Sequence, residues 1–138
     1  MLIRDIMETV RKTAQLKTLL SALGAADLSE TLSGPGPLTF FAPVEEAFQR
    51  LPAARGRSLF QNKWELRQIF ECHIMTDLVT MADLVDMGLA RMMNERIFDI
   101  VVHKDGIIVD GARIIGGDIA CSNGILHFVD TVIIPDEI

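Results

Sequence analysis

Ser122-Asn123-Gly124-Ile125-Leu126-His127-Phe128-Val129-Asp130-Thr131-Val132-Ile133-Ile134-Pro135 is the stretch on which the fold turns. From Ile125 to Ile134 it is apolar on both alternating faces, broken only by His127, Asp130 and Thr131. A strand with two apolar faces is covered on both sides and belongs in the middle of a sheet. Asn123-Gly124 ahead of it is a turn signal feeding that strand. Pro135 closes it, because proline cannot donate to a ladder.

Working back toward the N-terminus, the strand period persists to Gly88. Ile97 to His103 and Ile107 to Asp110 flank Lys104-Asp105-Gly106, a hairpin signal, and Arg113 to Ile115 is a further β segment. Before Gly88 the period is helical. Thr80 with Asp83 resembles a capping pair for a helix through Val85. Leu66, Ile69, Phe70 and His73 fall at i, i+3, i+4, i+7 in a helix over 63–73. Glu45 to Leu51 is a short helix with acids at its start, where the dipole favours them, and Pro52 ends it. Leu38-Thr39-Phe40-Phe41-Ala42 is an apolar strand stopped by Pro43. Ser33-Gly34-Pro35-Gly36-Pro37 interrupts all regular structure. Asp27 with Glu30 is read as the cap of a helix over 27–32. Ile6 with Val10, then Leu16, Leu19, Leu20 and Leu23, make one helical face, with Gly24 placed as its left-handed cap. Helices first and a sheet afterwards make an α+β protein without internal repeats.

The chain has 138 residues, which is expected to form one domain spanning 1–138. It is 49% hydrophobic and 23% charged, a globular composition. A net charge of -6 gives no whole-domain positive field for nucleic acid. No apolar run reaches the roughly 18 residues of a membrane helix, so no membrane insertion of this chain is expected. Asp5 and Glu8 break any signal-peptide core in the first ten residues. That leaves a cytoplasmic protein or a chain whose signal has been removed.

Catalytic motifs are missing: there is no G-x-S-x-G, P-loop, H-E-x-x-H or G-x-G-x-x-G. Gly34-Pro35-Gly36 is a poor phosphate cradle, because its prolines remove backbone donors. Two cysteines, Cys72 and Cys121, cannot make a four-ligand zinc site, and the three histidines are scattered. Both thiols are expected to be buried and free. Cys72 and His73 are neighbours on a helix and point about 100° apart, so they do not pair as nucleophile and base. His73 and His127 lie among apolar residues and are read as buried and hydrogen-bonded. No metal and no cofactor is expected. The seven methionines are read first as core filler, with an apolar Met- and Phe-lined groove as the alternative. Arg50, Arg55, Arg57 and Lys63 fall in a stretch without acids between Glu46 and Glu65, read first as a solvated basic loop, with an anionic partner as the alternative.

Two signatures resemble the fasciclin domain family. The first is Thr39-Phe40-Phe41-Ala42-Pro43-Val44-Glu45-Glu46-Ala47-Phe48, of which Thr39, Phe41, Ala42, Pro43, Glu46, Ala47 and Phe48 carry the likeness. The second is the opening stretch, through Asn123, Gly124, His127 and Asp130. The resemblance implies N-terminal helices packed on a mixed β-sheet wedge. It also implies a non-catalytic binding or adhesion module, extracellular or at a cell surface, meeting a protein or glycan; the oligomeric state is left open. Three binding positions follow from it. His73 stands where the family carries Tyr-His, here preceded by Cys72. Asp118 and Ile119 match an Asp-Ile pair used by animal members, although Gly116-Gly117 before them differ. That segment is expected at the sheet margin, the alternative being that Ile119 plugs the core while Asp118 caps a turn. The alternative function is a small-molecule carrier with the Met/Phe groove.

Overall fold

The computed structural model describes residues 4–134; Met1 and the closing Pro135 lie outside them. Seven α-helices and a 3-10 turn (Ala14–Leu16, between α1 and α2) precede or interrupt seven strands among the described residues: α1 (Ile6–Lys12), α2 (Lys17–Ala25), α3 (Ser29–Ser33), β1 (Leu38–Pro43), α4 (Glu45–Gln49), α5 (Ala53–Gln61), α6 (Lys63–Glu71), β2 (Ile74–Met75), α7 (Met81–Met87), β3 (Leu89–Arg91), β4 (Ile97–His103), β5 (Gly106–Val109), β6 (Ala112–Cys121) and β7 (Gly124–Val129). The strands form one mixed sheet in the order β2-β1-β7-β6-β5-β4-β3.

β7 is flanked on both sides, parallel to β1 and antiparallel to β6, as its two apolar faces require. On one face Phe40 and Leu126 pack with Ile6, Leu16, Leu19, Leu23 and Phe70 from the helices. On the other, Phe41 and Val129 pack with Leu84 of α7 and with Phe98 and Val109 of the hairpin strands. The parallel approach of β1 and β7 is close: a Cβ on Gly124 would stand 1.8 Å from the Leu38 carbonyl oxygen, so only glycine fits. Asn123 before it ties the N-terminal helices down. Its Oδ1 accepts from the Ile6 amide at 3.0 Å, and its Nδ2 donates to the carbonyls of Leu32 at 2.8 Å and Gly34 at 2.9 Å.

Four local expectations are corrected. Gly24 is inside α2, and the left-handed residue is Asp27, with φ 62°. The Leu28 amide donates to the Leu23 carbonyl and the Asp27 amide to the Gly24 carbonyl, the Schellman closure of α2. Asp27 is thereby occupied in ending α2, and α3 begins from Leu28. Second, Pro52 starts α5, whose buried anchor is Leu59; the basic stretch is a helix and not a loop. Third, β2 and β3 are additional short strands, one at each edge of the sheet. Fourth, β7 ends at Val129. Asp130 stays tied to Arg113 of β6, its amide donating to the Arg113 carbonyl and its carboxylate accepting the Arg113 amide, each at 3.0 Å, and beyond it the Ile133 amide donates to Nε2 of His73.

Candidate functional site

β6 carries the feature that distinguishes this sheet. Its register against β7 runs Ile114 to Val129, Gly116 to Phe128 and Ile119 to Leu126. One residue is gained at Ile115 and another within Gly117-Asp118, so β6 bulges twice in succession. A bulge bends its strand and re-aims side chains. The second bulge faces His127, and its glycine is a steric necessity. A Cβ on Gly117 would stand 2.3 Å from His127 Nδ1.

The bulge divides the Asp118-Ile119 pair. Ile119 turns inward and packs partly buried against the helix-side core. Asp118 turns outward and keeps 46% of its side chain exposed. Its Oδ1 accepts the Met81 amide at 2.9 Å, the first residue of α7, where a negative charge suits the helix dipole. β5 pairs with β6 only at Ala112 and Arg113. Beyond them β6 has β7 on one side and no strand on the other among the described residues. The strand is interior by order, yet this half of it is a margin. The same segment borders an open cleft of about 390 Å³ whose walls include Pro37, Leu78 and Ser122; Leu78 is 56% exposed.

His127 lies under the bulge, fully buried. Its ring stacks on Phe41 with centroids 5.6 Å apart, and Nε2 is 2.9 Å from the Val79 carbonyl. Thr39 fixes that loop by donating to the Asp77 carbonyl and accepting the Val79 amide. Nδ1 of His127 has no hydrogen-bond partner; Asp118 Oδ1 stands 3.6 Å away. Burial pushes the imidazole below its ordinary pKa, against smaller opposing pulls from the Val79 carbonyl and Asp118.

His73 is also fully buried, with Nδ1 2.9 Å from the Ile69 carbonyl and Nε2 accepting from Ile133. Burial lowers its pKa to about 4. As a surface contact position His73 is therefore corrected: no partner reaches it, and its role is to join α6 to the segment after β7. Cys72 is buried beside Asn94, whose Nδ2 donates to Sγ at 3.0 Å, while Cys121 is only half-buried, near Thr9. Both thiols are free, and burial raises the pKa of each, the wrong direction for a nucleophile.

Three of the four basic residues are matched by acids, two of them from distant parts of the chain. Arg50 meets Asp130 at 3.4 Å, Arg55 meets Glu65 at 2.5 Å and Lys63 meets Asp27 at 3.4 Å. Arg57 alone of the four is exposed without an ion pair among the described residues. The methionines do not gather around a groove: Met7, Met75 and Met92 are core residues, and Met87 is exposed. A second open cleft, of about 450 Å³, is lined by Phe128 and Ile115 but by no methionine. Among the described residues no group of three His, Cys, Asp or Glu is arranged to hold a metal, and no helix is long and apolar enough to cross a membrane.

The family profile described as Fasciclin domain matches residues 14–135. Protein sll1483 of Synechocystis sp. is 38% identical over 133 residues, which cover 94% of this chain and 73% of that protein. The uncharacterized protein sll1735 of the same organism is 34% identical over 130 residues, covering 94% of this chain and 97% of its own length. A FAS1 domain pair from the insect cell adhesion molecule Fasciclin I superposes with a TM-score of 0.85 at 16% sequence identity. That match covers 97% of this chain and 52% of the two-domain chain, so the present chain spans about half of it.

Proposed function

The chain belongs to the fasciclin domain family, and from that premise we propose that it is a non-catalytic binding module that meets a protein partner at a cell surface or in an extracellular matrix. The observation that carries the reading is the one-sided half of β6, where Asp118 is exposed on the stretch beyond Arg113 that pairs with β7 alone among the described residues. Proteins normally blunt such margins with charge, and an exposed strand margin is also a recurrent way to take a partner segment. Leu78, exposed on the wall of the adjoining cleft, adds apolar surface there. The inward-facing Ile119 holds the segment to the core, so the outward residues are displayed on a rigid support.

The chemistry of the remaining candidates supports binding over catalysis. Both buried histidines are engaged by backbone groups and held neutral, and both thiols are shifted away from reactivity. A protein partner is favoured over an acidic glycan, because three of the four cations of the basic stretch already face carboxylates. The animal adhesion molecule with the same fold is an analogy for this role, and fold-level analogy is an associational warrant.

The test is binding of the purified chain to a panel of immobilised matrix proteins and acidic glycans, with Asp118→Lys in parallel. Saturable binding to a protein member, lost in Asp118→Lys while the melting temperature falls by only the few degrees that losing the Met81 amide contact costs, is the expected result. Saturable binding only to glycans, binding equal in the variant, or no saturable binding to any member would overturn it.

A further inference from the structure

The first bulge of β6 builds a second surface, on the opposite side of the segment from Asp118's carboxylate. Gaining a residue at Ile115 turns that side chain to solvent, where it is 53% exposed. Gly116 follows it, and a Cβ there would approach Phe128 Cδ2 to 3.0 Å. The missing side chain leaves the ring of Phe128 only partly covered. Ile115 and Phe128 line the open cleft of about 450 Å³ together with Val44, Gln15, Glu45 and Glu46.

The two acids of that wall differ. Glu45 is fully engaged: its carboxylate accepts from the Thr18 amide and, at 2.7 Å, from the Thr18 hydroxyl, which fixes the start of α2. Glu46 is exposed and has no side-chain partner among the described residues. Arg50, one turn further along, is drawn instead to Asp130 and Thr131. The cleft therefore offers an aromatic ring and an aliphatic side chain next to an uncompensated carboxylate.

We propose that this cleft receives an arginine side chain of a partner protein. An arginine stem covers apolar surface while its head stays polar. Its planar guanidinium stacks on an aromatic ring and pairs with a carboxylate through two parallel donors. A cation also complements the net charge of -6 of this chain. The volume lies in the range of small-ligand sites, but the cleft is open, so an arginine held by a polypeptide fits it better than a free amino acid. The proposal does not depend on the Asp118 surface, and either can fail alone.

The experiment is a titration of the isotope-labelled chain, followed by amide chemical shifts, with the peptide acetyl-Gly-Gly-Arg-Gly-Gly-amide. Its citrulline counterpart and free L-arginine serve as comparison probes. Saturable shifts at Gln15, Glu46, Ile115 and Phe128 are expected for the arginine peptide, weaker by about tenfold for the neutral citrulline peptide. Glu46→Gln and Ile115→Ser, both at exposed positions, should each weaken binding at unchanged melting temperature. Equal shifts with citrulline, binding unaltered in Glu46→Gln, or no saturable shift at these amides would overturn the proposal. Free arginine binding as tightly as the peptide would make this a small-molecule site and overturn the docking reading as well.

Discussion

Asp118 Oδ1 serves two groups at once, accepting the first amide of α7 at 2.9 Å and standing 3.6 Å from the otherwise unpartnered Nδ1 of His127. The surface carboxylate, the helix start and the buried ring are thereby coupled. Asp118→Ala removes one ligand of the α7 N-terminus, while the Thr80-Asp83 capping box remains. The expected cost is about 0.5–1 kcal/mol, read by denaturant unfolding. The same variant should move the His127 pKa further down, because the carboxylate is one of the groups holding it up. An imidazole titration followed by NMR checks this; an upward shift would contradict it.

Gly117→Ala should be costly for a reason of space. The new methyl group meets His127 Nδ1, so the ring must leave its place against Phe41 and the Val79 carbonyl. A loss of about 1–3 kcal/mol is expected from such overpacking. Gly56→Ala, in α5 with nothing within 4 Å of the added atom, should stabilise by about 0.5–1 kcal/mol. Thermal unfolding of the two variants beside wild type provides the comparison.

Acid should weaken the fold through the buried histidines. His73 stays neutral in the folded protein down to about pH 4, whereas in the unfolded chain it takes up a proton near its ordinary value of 6.5. Between those limits the unfolded state binds more protons, so stability is present above the unfolded pKa and falls as pH drops through the window. The lowered His127 adds in the same direction. For His73 the loss is on the order of 3 kcal/mol by pH 4. Melting temperature recorded from pH 7 to pH 4 measures it, and a flat profile would contradict the burial of these rings.

The thiols should differ in access and share low reactivity. Two free thiols are expected by reagent counting in denaturant without reductant. In the folded protein Cys121, half-buried, should react first and Cys72 only on opening. A count of zero under denaturing conditions would mean a disulfide instead.

Much of this architecture was legible in residue order alone. The apolar run read as Ile125 to Ile134 identified a central strand, though the strand ends at Val129, and the apolar neighbours of His73 and His127 identified buried rings. Thr80 and Asp83 announced a helix start that forms with both capping bonds. What could not be read depends on partners far along the chain. Lys63 finds Asp27, and Arg50 finds Asp130, across dozens of residues, so a basic stretch looked uncompensated. The left-handed Asp27 follows from how α2 closes, which competes with its capping of α3. The bulges exist only as a register between β6 and β7, and Gly116-Gly117 gave their one trace in sequence. Read alone, a diglycine signals looseness; against β7 it is the space that two rings require.

The most direct test of the binding role is amide hydrogen exchange of the chain with and without a protein that binds it saturably from the matrix panel. Protection gained at residues 116–121, the half of β6 with one open side, and around Leu78 is the expected result. Protection confined to other surfaces, with 116–121 exchanging as in the free chain, would contradict the account.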